Sequence, residues 1–169
     1  KDAETGEKLK DAYFELYRKT LEGSGTNRKW KWILEREAQK TNAAGEIAVQ
    51  DLNFGTYRFA EVQPPRGYLM DPANGVIKSD NGEAEFPEDF NAKELEFTLD
   101  ASTVGKTIEL TTSNERRKGS AALYKTSEDG IPLQGAVFSL YKENGAEDIL
   151  IQENMATDLE GMTPYAENL

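Results

Sequence analysis

The sequence predicts an all-β protein of tandem immunoglobulin-like sandwich domains, the second incomplete. Apolar residues alternate in short runs, turn-forming residues separate those runs, and one nineteen-residue pattern occurs twice. Slid against itself, the chain aligns "KDAETGEKLKDAYFELYRK" at 1–19 with "KTSEDGIPLQGAVFSLYKE" at 125–143 without a gap. Lys1, Glu4, Gly6, Leu9, Ala12, Phe14, Leu16 and Tyr17 recur as Lys125, Glu128, Gly130, Leu133, Ala136, Phe138, Leu140 and Tyr141. The match resumes after a shift of eight residues, pairing "ILEREAQKTNAAGE" from Ile33 with "ILIQENMATDLEGM" from Ile149. The first copy therefore carries a longer insert, around "LEGSGTNRKWKW".

Taken in order, "AYFELY" and its repeat "AVFSLY" read as strands, with Phe14 and Leu16, then Phe138 and Leu140, on one face as period two requires. "WILEREAQK" follows. A short helix is the alternative there, but the counterpart "ILIQENMAT" has two β-branched residues in its first three positions, which favours a strand. Further strands are expected at "EIAVQDL", "TYRFAEV", "ELEFTLDA" and "KTIELTTSN", with "TGEK", "EDGIP" and "NAAGE" supplying turn chemistry. A polar stretch, "NERRKGS" at 114–120, marks a boundary between a complete domain over 1–117 and the first half of a second over 118–169. The second copy stops at Leu169, where an equivalent of "FGTYRFAEV" is due. Either the sequence continues beyond it, or another chain supplies the strands by complementation.

Composition removes several function classes. The net charge of −11 argues against a protein that tracks nucleic-acid phosphates. With no cysteine and no histidine, disulfides, thiolate chemistry, and the commonest general base and metal ligand are all absent. The apolar runs are too short to cross a bilayer, so no membrane contact is expected of this region. Catalytic chemistry is left to carboxylates, lysines, hydroxyls and amides.

One carboxylate is out of place. "FAEVQPPRGY" sets Glu61 between Phe59 and Val62 in an otherwise apolar strand, where a carboxylate is rarely left without a partner. Together, "KDAETGEKLKDAYFELY", "GEIAVQDLNFGTYRFAEVQPPRGY" and a strand ending in Asn114 resemble a Cna-type B domain, the prealbumin-like sandwich of Gram-positive pilins and surface adhesins. The resemblance covers all of copy one and the first half of copy two. It implies a spontaneous intramolecular isopeptide bond between Lys1 and Asn114, assisted by Glu61.

The chemistry explains those residue types. Lysine attacks as the neutral amine, which burial favours, and the same surroundings keep a carboxyl protonated. Glu61 would then hydrogen-bond to the Asn114 carbonyl and carry a proton from the attacking to the departing nitrogen. Ammonia leaves once, so the protein is a single-turnover substrate of itself and not an enzyme; a glycosidase pair built on Glu61 lacks an identifiable second carboxylate. Lys125 holds the matching position in copy two, but Asn144, Asn154 and Asn168 lie in or near turns, and no bond is expected there.

The resemblance further implies a structural stalk or backbone module of an extracellular, cell-wall anchored pilin or adhesin, with neighbouring domains or subunits of a surface fibre as partners. The alternative is a binding module for a host matrix protein or glycan, using Trp30 and Trp32, flanked by Lys29 and Lys31, or the loop from Asn74 to Asn91. No cofactor and no metal are expected. The acids and amides of "DPANGVIKSDNGEAEFPED" lack the ordered spacing of a calcium loop.

Overall fold

The computed structural model describes every residue except 79–82 and 146. The chain divides into two compact units, Lys1–Arg117 and Lys118–Leu169. In the first, a six-stranded antiparallel sheet is built from β1 (Tyr13–Glu22), β2 (Lys29–Lys40), β3 (Gly55–Gln63), β4 (Ile77–Lys78), β5 (Ala84–Glu85) and β6 (Glu96–Leu99), in the order β4-β5-β2-β1-β3-β6. One turn of helix, α1 (Ala92–Leu95), leads into β6. In the second unit β7 (Val137–Lys142) pairs with β8 (Ile149–Ala156).

The central strand β1 is buried on both faces. Ala12 and Phe14 pack with Leu95, Ile47, Phe59 and Phe90 on one side, while Tyr17 packs with Ala60, Ala84, Trp32, Val76 and Phe86 on the other. Arg58 of β3 touches members of both groups: its guanidinium carbon lies 4.4 Å from the Trp32 ring centre and 4.5 Å from that of Phe90. Its Nε donates to Glu96 across the β3–β6 pair at 2.6 Å. The charge is thus neutralised by a carboxylate and faced by aromatic rings, which makes its half-burial tolerable.

The sequence repeat is also a repeat of structural detail. Phe14, Leu16 and Tyr17 pair with Gln39, Arg36 and Leu34, with two register shifts; Phe138, Leu140 and Tyr141 pair with Met155, Gln152 and Leu150, with the same two shifts. The β7–β8 ladder ends at Lys142–Ile149, the counterpart of Arg18–Ile33, whereas β1–β2 runs on through Lys19–Trp32, Thr20–Lys31, Leu21–Trp30 and Glu22–Lys29. Four added pairs account for the eight-residue shift between the copies.

A buried threonine closes each hairpin in the same way. Thr41 Oγ1 accepts from Ala12 N at 3.0 Å and donates to Leu9 O at 2.9 Å, as Thr157 does with Ala136 N at 2.9 Å and Leu133 O at 2.6 Å. The turn beyond it needs glycine twice. Gly45 and Gly161 hold φ of 71° and 77°, and a Cβ there would meet backbone atoms at 3.0 and 2.5 Å.

Three expected strands differ. Residues 46–52 are irregular, with Asp51 at φ 57°, although Ile47 still reaches the core. The start of "ELEFTLDA" is α1 rather than strand. Residues 106–113 form no strand, and main-chain bonds to the first segment are made only at Thr112 and, just beyond the stretch, at Asn114. Alternation alone produces no ladder where a partner edge is missing. "WILEREAQK" lies within β2 and is strand throughout.

Because valine matches threonine in shape but lacks the hydroxyl, Thr41→Val leaves the buried Ala12 N–H unpaired. Chemical denaturation is expected to show a loss of about 1–3 kcal/mol.

Candidate functional site

Glu61 stands on β3 directly across from Phe14 of β1 and has no solvent exposure. Asn114, also buried, is carried to it by the pairing of the first and last segments of the unit. Asp2 and Asn114 form a parallel bridge, in which Asn114 N donates to Lys1 O at 2.9 Å and Ala3 N donates to Asn114 O at 3.0 Å. A second bridge joins Tyr68 to Arg116. The Asn114 side chain closes the arrangement: Nδ2 donates to both oxygens of Glu61, each at 2.9 Å, and to Leu69 O at 3.1 Å.

Burial pushes the Glu61 carboxyl above its ordinary value, opposed by the hydrogen bonds from Asn114. The orientation of the carboxamide differs from the expected one. Its nitrogen, not its carbonyl, faces Glu61, so the group Glu61 touches is the one that would depart as ammonia.

Lys1 also differs from expectation. Its main chain is held, the amino nitrogen donating to Thr112 O at 3.0 Å, but the residue is exposed. The register is the reason: Asp2, not Lys1, stands opposite Asn114, and successive residues of an extended segment face opposite sides. Asp2 is the buried member of the pair, at 1% exposure.

Sequence reasoning missed Asp2 and its partners. Its Oδ1 accepts from Glu4 N at 2.8 Å and Thr5 N at 2.9 Å, and its Oδ2 accepts from Tyr68 OH at 2.8 Å and Arg116 Nε at 2.5 Å. The Thr5 amide, then Arg116 and Tyr68, hold its carboxyl far below the usual range despite burial. The legible signal was "DAETG", an aspartate placed to cap the turn after it. Asn74 was missed as well. It is buried, its Nδ2 donates to Thr112 Oγ1 at 3.2 Å, and its Oδ1 has no hydrogen-bond partner among the described residues.

The two tryptophans part company. Trp32 is half-buried under Arg58 and against Phe86, while Trp30 is 63% exposed on the added length of hairpin, with Lys19 Nζ 5.8 Å from its ring centre. A cleft of about 430 Å³ beside it is lined by Lys29, Lys31, Glu85 and Phe86 among others. Lys125 is exposed and its Nζ donates to Thr126 O at 3.3 Å. Asn144 precedes a turn glycine at Gly145 and Asn168 has φ of 62°, but Asn154 lies within β8, at φ 58°, and not near a turn as expected. Among the described residues no group of three or more acidic side chains is gathered to hold a metal ion, and residues 79–82 of the 71–89 loop lie outside them.

The raised Glu61 value has a definite sign in stability. A carboxyl that binds its proton more tightly in the folded than in the unfolded chain makes stability fall as pH rises. With the Asn114 carboxamide intact, the fall begins near 4.5, the ordinary value, and continues to the raised one. Thermal melts across that window are expected to show this component in Lys1→Ala, whose carboxamide stays intact, and to lack it when Glu61→Gln is added to that chain.

A family profile described as "SpaA: Prealbumin-like fold domain" matches residues 1–86. No curated protein matches the chain. Among solved structures, a streptococcal ancillary pilin aligns at 20% identity and a TM-score of 0.40, covering 99% of this chain and 47% of its own, so the chain spans less than half of that protein's length. With the profile covering just over half of its residues, and a fold of antiparallel strands with little helix, the chain belongs to the SpaA prealbumin-like fold family.

Proposed function

We propose that residues 1–117 are a structural module of a Gram-positive surface fibre, a pilin or adhesin stalk outside the cell, closed on itself by an amide between Lys1 and Asn114. The observation that carries the reading is the solvent-free contact of Glu61 with the Asn114 carboxamide. Main-chain pairing sets Lys1 beside Asn114 but with its side chain on the outer side of the segment, so the reaction requires that terminal side chain to swing across to the Asn114 face. The neutral amine attacks Asn114 Cγ, the bond from Cγ to Nδ2 breaks, and the proton lost by the attacking nitrogen passes through Glu61 to the leaving one. One amide and one ammonia result. The raised affinity of Glu61 for a proton suits it to that relay.

Such a bond would close nearly the whole unit. By analogy with a disulfide around ~100 residues it removes on the order of 4–5 kcal/mol of unfolded-state entropy. Under tension between the first and last segments, load would run through the amide instead of the sheet. Neighbouring subunits of the fibre are the partners in this reading, and catalysis is limited to the single event.

Intact mass under denaturing conditions tests the reading. The wild type is expected to be lighter than its sequence by one ammonia, and Glu61→Ala and Lys1→Ala are expected at full mass. A wild type at full mass overturns the bond, and a Lys1→Ala chain that still loses ammonia shows that another amine attacks.

A second reading rests on Trp30, whose exposed ring and adjoining cleft would offer a stacking platform to a glycan or host matrix protein. Binding on a glycan or matrix-protein array, lost in Trp30→Ala and retained in Glu61→Ala, is the expected result if that platform is functional.

A further inference from the structure

We propose that Asp2 is a positioning residue for amide formation, locking the register in which Asn114 meets Glu61; the inference rests on the bond proposed above. Its carboxylate is where three separate segments are tied together. The first segment supplies the Glu4 and Thr5 amides, the turn after β3 supplies Tyr68 OH, and the last segment supplies Arg116 Nε. Each of these segments also carries a part of the site. Lys1 precedes Asp2, Leu69, whose carbonyl holds Asn114 Nδ2, follows Tyr68, and Asn114 lies two residues before Arg116.

A turn cap alone does not account for this arrangement. Capping the 2–6 turn uses only Oδ1, and the two bonds to Oδ2 reach across to the segments that hold the electrophile. The Asp2 side chain has no exposure, and Arg116 is its salt-bridge partner at 2.5 Å. Replacing the carboxylate by a carboxamide keeps an acceptor for the turn but turns an N–H toward the Arg116 donor. The second copy supplies a contrast, since threonine stands at the equivalent position, Thr126, where one hydroxyl cannot serve four donors.

Misplacement of reacting groups by about 1 Å costs up to ~100-fold in rate, so a loosened register is read directly as slower ammonia loss. Full-length chains isolated unfolded and folded by dilution would be followed by intact mass, with tryptophan fluorescence reporting the folded fraction separately. Per folded chain, Asp2→Asn and Arg116→Met are expected to lose ammonia at least tenfold more slowly than wild type, and Arg116→Lys, which keeps the charge, to recover part of the rate. A purely structural role would lower the folded fraction and leave the rate per folded chain unchanged. Should Asp2→Asn fail to fold, Arg116→Met carries the test, because it leaves the turn cap intact. Wild-type rates in the folded fraction of these variants overturn the role of Asp2 while the bond stands. A wild type that never loses ammonia overturns the bond and this inference together.

Discussion

The first unit depends on the closure of its first segment against its last, at positions 111 residues apart. Lys1 and Ala3 meet Thr112 and Asn114 through three main-chain hydrogen bonds. So few bonds would be a poor return on the entropy of closing so long a loop, which grows with loop length though only slowly. The side chains make up the difference. Asp2 gathers four donors from three segments, and Asn114 spends its amide on Glu61 and Leu69. Both are buried polar groups, and a buried polar group is tolerated only when its partners are present, so each fixes its neighbours in place.

That closure explains why Glu61 is acceptable inside a strand. A carboxylate between Phe59 and Val62 has nothing to bond with in its own sheet, since Phe14 is its cross-strand neighbour. The carboxamide arriving from the last segment supplies two hydrogen bonds, and the remaining cost of burial appears as a raised proton affinity. Arg58, three residues earlier on the same strand, has the same difficulty and a different remedy, with Glu96 beside it and aromatic rings of Trp32, Phe86 and Phe90 around it. In β3 a carboxyl and a guanidinium are both drawn in from solvent, and each is held by residues distant in sequence.

The hairpins were legible in the sequence because everything that shapes them is local. Alternation defines β1 and β7, and the eight-residue shift already contained the four added pairs of the longer hairpin. Glu61 and Asn114 were legible as a pair through the family resemblance, with no local signal joining them. What the sequence did not disclose was the register of the first segment. Whether Lys1 or Asp2 faces inward depends on which of them stands opposite Asn114, a choice made by a partner more than a hundred positions away, and a slip of one residue exchanges the two faces. The missing strands at 46–52 and 106–113 have the same origin. Their residues alternate suitably, but a strand needs an edge to pair with, and pattern alone cannot supply it.

Comparison of the two units separates the scaffold from the site. Both contain the hairpin with its two register shifts, the threonine that closes it and the glycine turn that follows. The anchoring of the first segment is not shared. In the second unit Thr126 bridges to Pro132, and Lys125 N donates to Gly161 O, so the segment that opens with Lys125 is held against its own hairpin. In the first unit the equivalent segment is held by the last one. A lysine at the repeat position is therefore not sufficient for the proposed chemistry. Amide formation needs a carboxamide delivered by a long-range closure and a buried carboxyl to meet it, and among the described residues only the closure through Asp2, Tyr68 and Arg116 brings such a pair together.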